Sequence, residues 1–272
     1  MAIPEVVGTQ TGRLAGKVAL VTGAAKGLGA AITASLREQG ATLTLCGRDG
    51  AALESHARMI DANGAGPKTL TVACDVLDER SVREMVAATV EQFGGLDILV
   101  NSAGGIGPIE TPVQDYPLEG FRQVLELNVL GTFITCKAVV PVMIERGAGR
   151  IVNIAGTSGL HGYANRVGYS ASKWAVRGLS RTLALELGRH QITVNTVCPN
   201  VTHGDRMETI IDSKALKLGK TQRQVYDDFT SETALGRFID EVDIAEAVSY
   251  LVGESGRNVT GQDIIVDAGF RI

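Results

Sequence analysis

Seven short runs of β-branched and apolar residues, at 18–21, 42–46, 69–73, 98–100, 151–154, 193–197 and 264–266, recur along the chain with helical patterns between them. Strands that read as near-continuous apolar runs are buried on both faces, and intervening helices supply the covering layers. The pattern predicts an α/β fold, a doubly wound parallel sheet of about seven strands with helices on both faces. In such sheets the ligand sits at the carboxyl ends of the strands. With 272 residues, 44% of them hydrophobic, one large domain suffices to bury a core. The expected organisation is a tail at 1–13 and a single domain at 14–272. A polar insert at about 200–233 breaks the strand-helix rhythm.

The first run leads into Thr22-Gly23-Ala24-Ala25-Lys26-Gly27-Leu28-Gly29 and then into a helical pattern. A glycine turn between strand and helix makes a phosphate cradle. Gly23 permits the turn, Gly27 admits a pyrophosphate to the backbone, and Gly29 lets helix and strand pack closely. The helix N-terminus adds free N–H groups and a positive dipole end.

Tyr169 and Lys173 stand four residues apart, on one face of a predicted helix. An adjacent ammonium favours the phenolate, bringing the tyrosine towards working pH as a general acid/base for an alcohol or carbonyl oxygen.

Composition narrows the function classes. A net charge of −4 and a pI near 5.6, with 26 scattered basic residues, predict no nucleic-acid surface. Cys46, Cys74, Cys136 and Cys198 are far apart with no C-x-x-C, so neither a metal site nor a redox pair is expected. Residues 1–12 lack a basic segment followed by an apolar one, and no apolar run reaches membrane-span length. The expectation is a cytoplasmic protein with no membrane partner.

Together these motifs resemble the short-chain dehydrogenase/reductase family in its single-domain, Rossmann-like form. The resemblance rests on the glycine turn, Cys74-Asp75-Val76, Asn101-Ser102-Ala103-Gly104, Asn128, the Tyr169/Lys173 pair, Gly261-Gln262 and Val266-Asp267. It implies an NAD(P)-dependent oxidoreductase interconverting a secondary alcohol and its ketone, with a polyol, sugar, hydroxy acid or alicyclic alcohol as substrate. A 3-oxoacyl-thioester reductase is the alternative within the same chemistry; a nucleotide-sensing or scaffold protein is the alternative outside it.

The resemblance also assigns roles. Tyr169 is the acid/base, Lys173 lowers its pKa and holds the nicotinamide ribose, and Asn128 anchors a water relay. The serine that binds the substrate oxygen usually stands thirteen residues before the tyrosine, where this chain has Gly156. Hydroxyls follow at Thr157 and Ser158, and Ser158 is the favoured replacement. Gly23, Lys26, Gly27, Leu28, Gly29, Arg48, Asp75, Val76, Asn101, Ala103, Gly104, Tyr169, Lys173, Pro199 and Thr202 form the expected cofactor set. Asp75 is matched to the adenine amine and Thr202 to the nicotinamide carboxamide. No acid ends the second strand, at Leu45-Cys46-Gly47-Arg48, so Lys26 and Arg48 favour NADP(H) over NAD(H).

His161, Arg166, His203 and Arg206 fall on the two loops expected to frame the substrate, and could bind a hydroxylated or anionic one. The insert at 200–233 resembles the family's substrate lid. Long helices are expected at about 119–145 and 169–187. Trp174, Ala175, Gly178, Leu179, Thr182, Leu183 and Leu185 cover too much of the second helix for a single buried stripe, which predicts a subunit interface and a homotetramer.

Overall fold

A computed structural model describes residues 12–62 and 66–271; the expected tail therefore lies almost wholly outside the described residues. Seven parallel strands form one sheet: β1 (Val18–Thr22), β2 (Thr42–Gly47), β3 (Leu70–Ala73), β4 (Ile98–Asn101), β5 (Gly149–Ile154), β6 (Ile192–Pro199) and β7 (Asp263–Val266). Their spatial order is β3-β2-β1-β4-β5-β6-β7. The chain winds outward from β1 in one direction and from β4 in the other. The carboxyl ends of β1 and β4 therefore flank a switch point, where a crevice opens.

The helices are α1 (Gly27–Glu38), α2 (Gly50–Ala62), α3 (Glu79–Phe93), α4 (Leu118–Leu125), α5 (Gly131–Arg146), α6 (Val167–Leu187), α7 (Asp205–Leu218), α8 (Gln222–Ser231) and α9 (Glu241–Val252). Two cores result, one on each face. Ala19 and Val21 of β1 pack with Ile32 and Leu36 of α1 and with Val248 and Leu251 of α9. Leu20, pointing the other way, packs with Leu99, with Val82 and Met85 of α3, and with Ile134, Val139 and Met143 of α5. The period-two alternation of a strand divides one short sequence between two cores.

α4 and α5 are one helical rod joined through a π-turn at Glu126–Leu130. By length and composition the rod, Leu118–Arg146, could cross a membrane, which corrects the expectation that no apolar stretch is long enough. Ile134, Val139 and Met143 are nevertheless committed to the sheet. The insert between β6 and α9 contains α7 and α8, the second opened by a capping box of Thr221 and Gln224.

Candidate active site

A cleft of about 770 Å³ opens at the carboxyl ends of the strands. Its base is the glycine turn. A Cβ at Gly23 would lie 2.8 Å from Ala103 N, and one at Gly29 would lie 2.1 Å from Gly23 O, so neither position tolerates a side chain without moving backbone. Thr22 Oγ1 accepts the N–H groups of Ser102 and Ala103, both at 3.1 Å, tying the turn to the end of β4. The N-terminus of α1 has no side-chain cap and no acid in its first turn, leaving its N–H groups for an anion. Lys26 and Arg48 are exposed on the rim, and neither has an ion-pair partner among the described residues.

Asp49 also reaches this rim, an acid that the strand-end argument passed over. Its Oδ1 accepts Ala52 N at 3.0 Å, at the start of α2. Asp78 caps α3, so Asp75 is not needed for that task; it holds a turn through Leu77 N and lines the cleft with Val76. Asn200 also lines the cleft, with a buried Nδ2 that has no partner among the described residues. A glycine cradle, free helix N–H groups, unpaired rim cations and an orphaned amide donor fit a nicotinamide dinucleotide.

Some expected contacts are displaced. Asn101 does not line the cleft. Its Nδ2 donates to Asn153 Oδ1 at 2.9 Å and its Oδ1 accepts Thr135 Oγ1 at 2.7 Å, pinning β4 to β5 and α5. Ala103, Gly104, Leu28, Pro199 and Thr202 do line it, although Thr202 Oγ1 donates to Asn200 O at 3.1 Å. Asn128, buried in the π-turn, stands one layer back. Its side chain clasps Gly105 through both N–H (2.8 Å) and O (3.0 Å), and donates to Ser172 Oγ at 2.9 Å. It thereby fixes the loop after β4 against α6. The widened turn aims this amide inward, a common use of π-bulges.

Tyr169 and Lys173 meet as expected, with Lys173 Nζ 5.6 Å from the tyrosine ring centroid and donating to Ile154 O at 2.9 Å. Burial pushes the Tyr169 phenol up. The charges of Lys173, Arg206 and Arg166, with a hydrogen bond to Ser158, outweigh that and leave it below the ordinary tyrosine value. Burial also lowers Lys173, reinforced by Arg206 and opposed by Tyr169. Between the two candidate hydroxyls the geometry discriminates. Thr157 Oγ1 shares a hydrogen bond of 2.9 Å with Tyr163, whereas Ser158 Oγ lies on the Tyr169 hydroxyl's side of Gly156 and helps lower that phenol. A Cβ at Gly156 would stand 3.6 Å from Ser158 Oγ and 3.7 Å from the Tyr169 hydroxyl, so Ser158 sits beside the place a residue-156 side chain would occupy.

The insert lies along one wall. Arg206 of α7 donates to Gly104 O at 2.9 Å, and Lys214 pairs with Glu110 at 3.1 Å. Arg166, His203 and Arg206 line the cleft; His161 is exposed elsewhere. One pairing was invisible in the sequence. Cys46 of β2 and Cys74, the residue after β3, interact through their side chains, which lowers Cys74 to about 7 and raises Cys46.

Known proteins match almost the whole chain. A family model described as Enoyl-(Acyl carrier protein) reductase covers residues 23–271. A putative ketoacyl reductase of granaticin polyketide synthesis from Streptomyces violaceoruber is 37% identical over 95% of this chain and 94% of its own. An NAD+-bound xylitol dehydrogenase superposes with a TM-score of 0.90 at 34% identity, over 94% of this chain and 99% of its own. An actinorhodin polyketide ketoreductase solved with NADPH gives 0.88 at 34% identity, over 97% and 99%.

Proposed function

The chain belongs to the short-chain dehydrogenase/reductase family and is an NAD(P)-dependent oxidoreductase acting on CH–OH groups, and from this we propose how its residues divide the work. The observation that carries the reading is Tyr169 in the cleft, its ring centroid 4.8 Å from the Arg166 guanidinium and 5.6 Å from Lys173 Nζ, with Ser158 lining the same cleft. Such a phenol can take the proton from an alcohol in one direction and return it to a ketone oxygen in the other. Ser158 binds that oxygen as charge develops on it. Lys173 holds the phenolate form down in energy, and is itself held by Ile154 O. The bound nicotinamide supplies the acceptor or donor of hydride. Asn128 acts by positioning the loop at 104–105 and the start of α6.

We assign the coenzyme as NADP(H) rather than NAD(H), because Lys26 and Arg48 are unpaired cations on the rim and Asp49 is turned to the α2 N-terminus. α7 and α8 act as the substrate lid, held in place by Arg206 and Lys214. The substrate is a small secondary alcohol or its ketone, in a cytoplasmic homotetramer. A carrier-bound 3-oxoacyl thioester is the less favoured substrate: dehydrogenases of free alcohols resemble the chain as well as ketoreductases do. With enzymatic chemistry established, the sensor reading is set aside.

The decisive experiment replaces Tyr169 by Phe. Turnover of a panel of polyols, sugars, hydroxy acids and alicyclic alcohols, followed by nicotinamide absorbance, is expected to vanish. NADP(H) affinity, read by fluorescence titration, stays near wild type. A variant that keeps a near-normal rate overturns the assignment.

A further inference from the structure

Three cations converge on Tyr169, and the proton-transfer chemistry needs only one of them. The guanidinium of Arg166 stacks over the tyrosine ring, 4.8 Å from its centroid, on the same residue whose ring has Lys173 Nζ at 5.6 Å. Arg206 is near enough for its charge to act on Tyr169, Lys173 and Arg166 alike. Among the described residues no carboxylate lies within ion-pair distance of any of the three. Glu110, the acid whose charge acts on Arg166, is taken by Lys214 at 3.1 Å and accepts Asn165 Nδ2 at 3.3 Å. On the other side the charge of Glu241 acts on Arg206 from beyond ion-pair distance, but Glu241 also faces Asp205 and is itself raised by burial.

Arg166 is the more telling of the pair. It is 8% exposed, yet the partners found for its guanidinium are one carbonyl, Ile106 O at 3.1 Å, and the tyrosine ring. A buried charge without a counter-ion is costly, and two guanidiniums that repel each other make it more so. The cost is recovered when an anion arrives between them. The glycine turn and α1 would receive a coenzyme's pyrophosphate, and Lys26 and Arg48 the extra phosphate of NADP(H), so the coenzyme would not supply that anion. A positively charged nicotinamide ring would add to the excess.

We propose that Arg166 and Arg206 are the substrate's anion site: the alcohol or ketone carries a carboxylate, sulfonate or phosphate-type group a short linker away from the reacting carbon. This rests on Tyr169 handling the substrate oxygen, and it names the substrate class for that site. Stacking beside the ring keeps the Arg166 fork next to the reacting position without competing for the tyrosine hydroxyl. Planar, bidentate recognition of such anions is what arginine does better than lysine. The two arginines come from different elements, Arg166 from the segment leading into α6 and Arg206 from α7, so the bound anion would also draw the lid onto the site.

The test reads binding without turnover. Wild-type protein saturated with NADP+ is titrated in a calorimeter with three ketone anions, acetoacetate, 2-oxopropylsulfonate and 2-oxopropylphosphonate, and with the neutral isosteres acetoacetamide and 2-oxopropyl methyl sulfone. At least one anion is expected to bind about tenfold or more tightly than the neutral compounds, the discrimination a desolvated guanidinium gives. Arg166→Met and Arg206→Met should each erase most of that preference, with NADP(H) affinity reporting that the variants are folded. Arg206 is exposed, so its variant serves even if Arg166→Met misfolds. The three anions separate carboxylate, sulfonate and phosphate sources. Equal affinity for anions and neutral isosteres, no detectable binding of any anion, or a preference that survives both substitutions, overturns the proposal. Because no catalysis is measured, that result is distinct from a failure of the Tyr169→Phe experiment.

Discussion

Gly156 holds φ at 142°, a backbone conformation L side chains rarely adopt, although a Cβ there would make only ordinary contacts. The obstacle to a serine at that position is conformational rather than spatial, and Ser158, two residues further on, brings a hydroxyl to within contact distance of it. Ser158→Ala should lower kcat by about 10²–10³-fold, the usual loss for one donor to developing charge. Thr157→Val should cost stability, about 1 kcal/mol for its hydrogen bond with Tyr163, and much less kcat. Steady-state rates with thermal melts separate the two, and equal kcat losses would show that the wrong hydroxyl was chosen. At the rim, Arg48→Ala is expected to weaken NADP(H) about ten- to a hundredfold more than NAD(H), the worth of a charge-assisted hydrogen bond. Equal losses, or a wild-type preference for NAD(H), would mean that the rim charges are only solvated. Tyr169, Lys173 and the glycines were legible because their chemistry depends on spacing within one helix or turn. Ser158 was already favoured in the sequence, but what sets it apart from Thr157 is the Thr157–Tyr163 hydrogen bond formed in the folded loop, and the Cys46/Cys74 contact follows from strand pairing; neither is written in local spacing.

All seven strands were legible, since a parallel sheet covered on both faces demands runs of apolar residues that surface loops do not need. The rod at 118–146 was legible too, but not the π-turn inside it, because one widened turn leaves the apolar pattern nearly unchanged. Long-range ties between elements were equally hidden. Asp263 at the start of β7 receives Arg177 of α6 at 2.7 Å and Arg181 at 2.6 Å, and also accepts the Thr196 hydroxyl. Burial pushes this carboxyl up, but the hydrogen bonds from Arg177 and Thr196 and the two positive charges carry it below the ordinary aspartate value. A carboxyl depressed in the folded state contributes stability above its unfolded pKa and loses it as pH falls through the folded one. The Tm gap between wild type and Asp263→Asn should therefore be largest near neutrality and narrow below about pH 4, where an unperturbed aspartate takes up its proton. Arg181 is mostly exposed and adds little, so Arg177 carries the effect. A gap that stays constant with pH would show that the loss is steric and not ionic.

At the scale of the whole molecule, the remaining apolar surface has a shape. Leu125, Val129, Leu130 and Phe133 of the long rod face Ala175 and Leu179 of α6 across a shallow groove of about 450 Å³. Trp174 is 51% exposed and Leu185 87% exposed on the same α6 helix. Leu183 packs against the core, so the apolar residues of α6 divide between the core and the outward stripe, as their spread around the helix implied. Exposed aromatic and leucine side chains on two adjacent long helices suit an isologous contact, in which a two-fold axis lays each groove against its copy. A second two-fold contact through the C-terminal strand region, expected at 259–272 with residue 272 outside the described residues, would complete a tetramer. Light scattering at micromolar concentration should then give four times the 28.6 kDa chain mass. Phe133→Glu combined with Leu179→Glu should reduce the assembly, since burying carboxylates against an apolar partner face costs more than the contact returns. A mass of twice the chain would leave only the helical interface standing. A mass near 28.6 kDa that does not change on dilution would rule out both contacts, and the apolar groove would then need a different occupant.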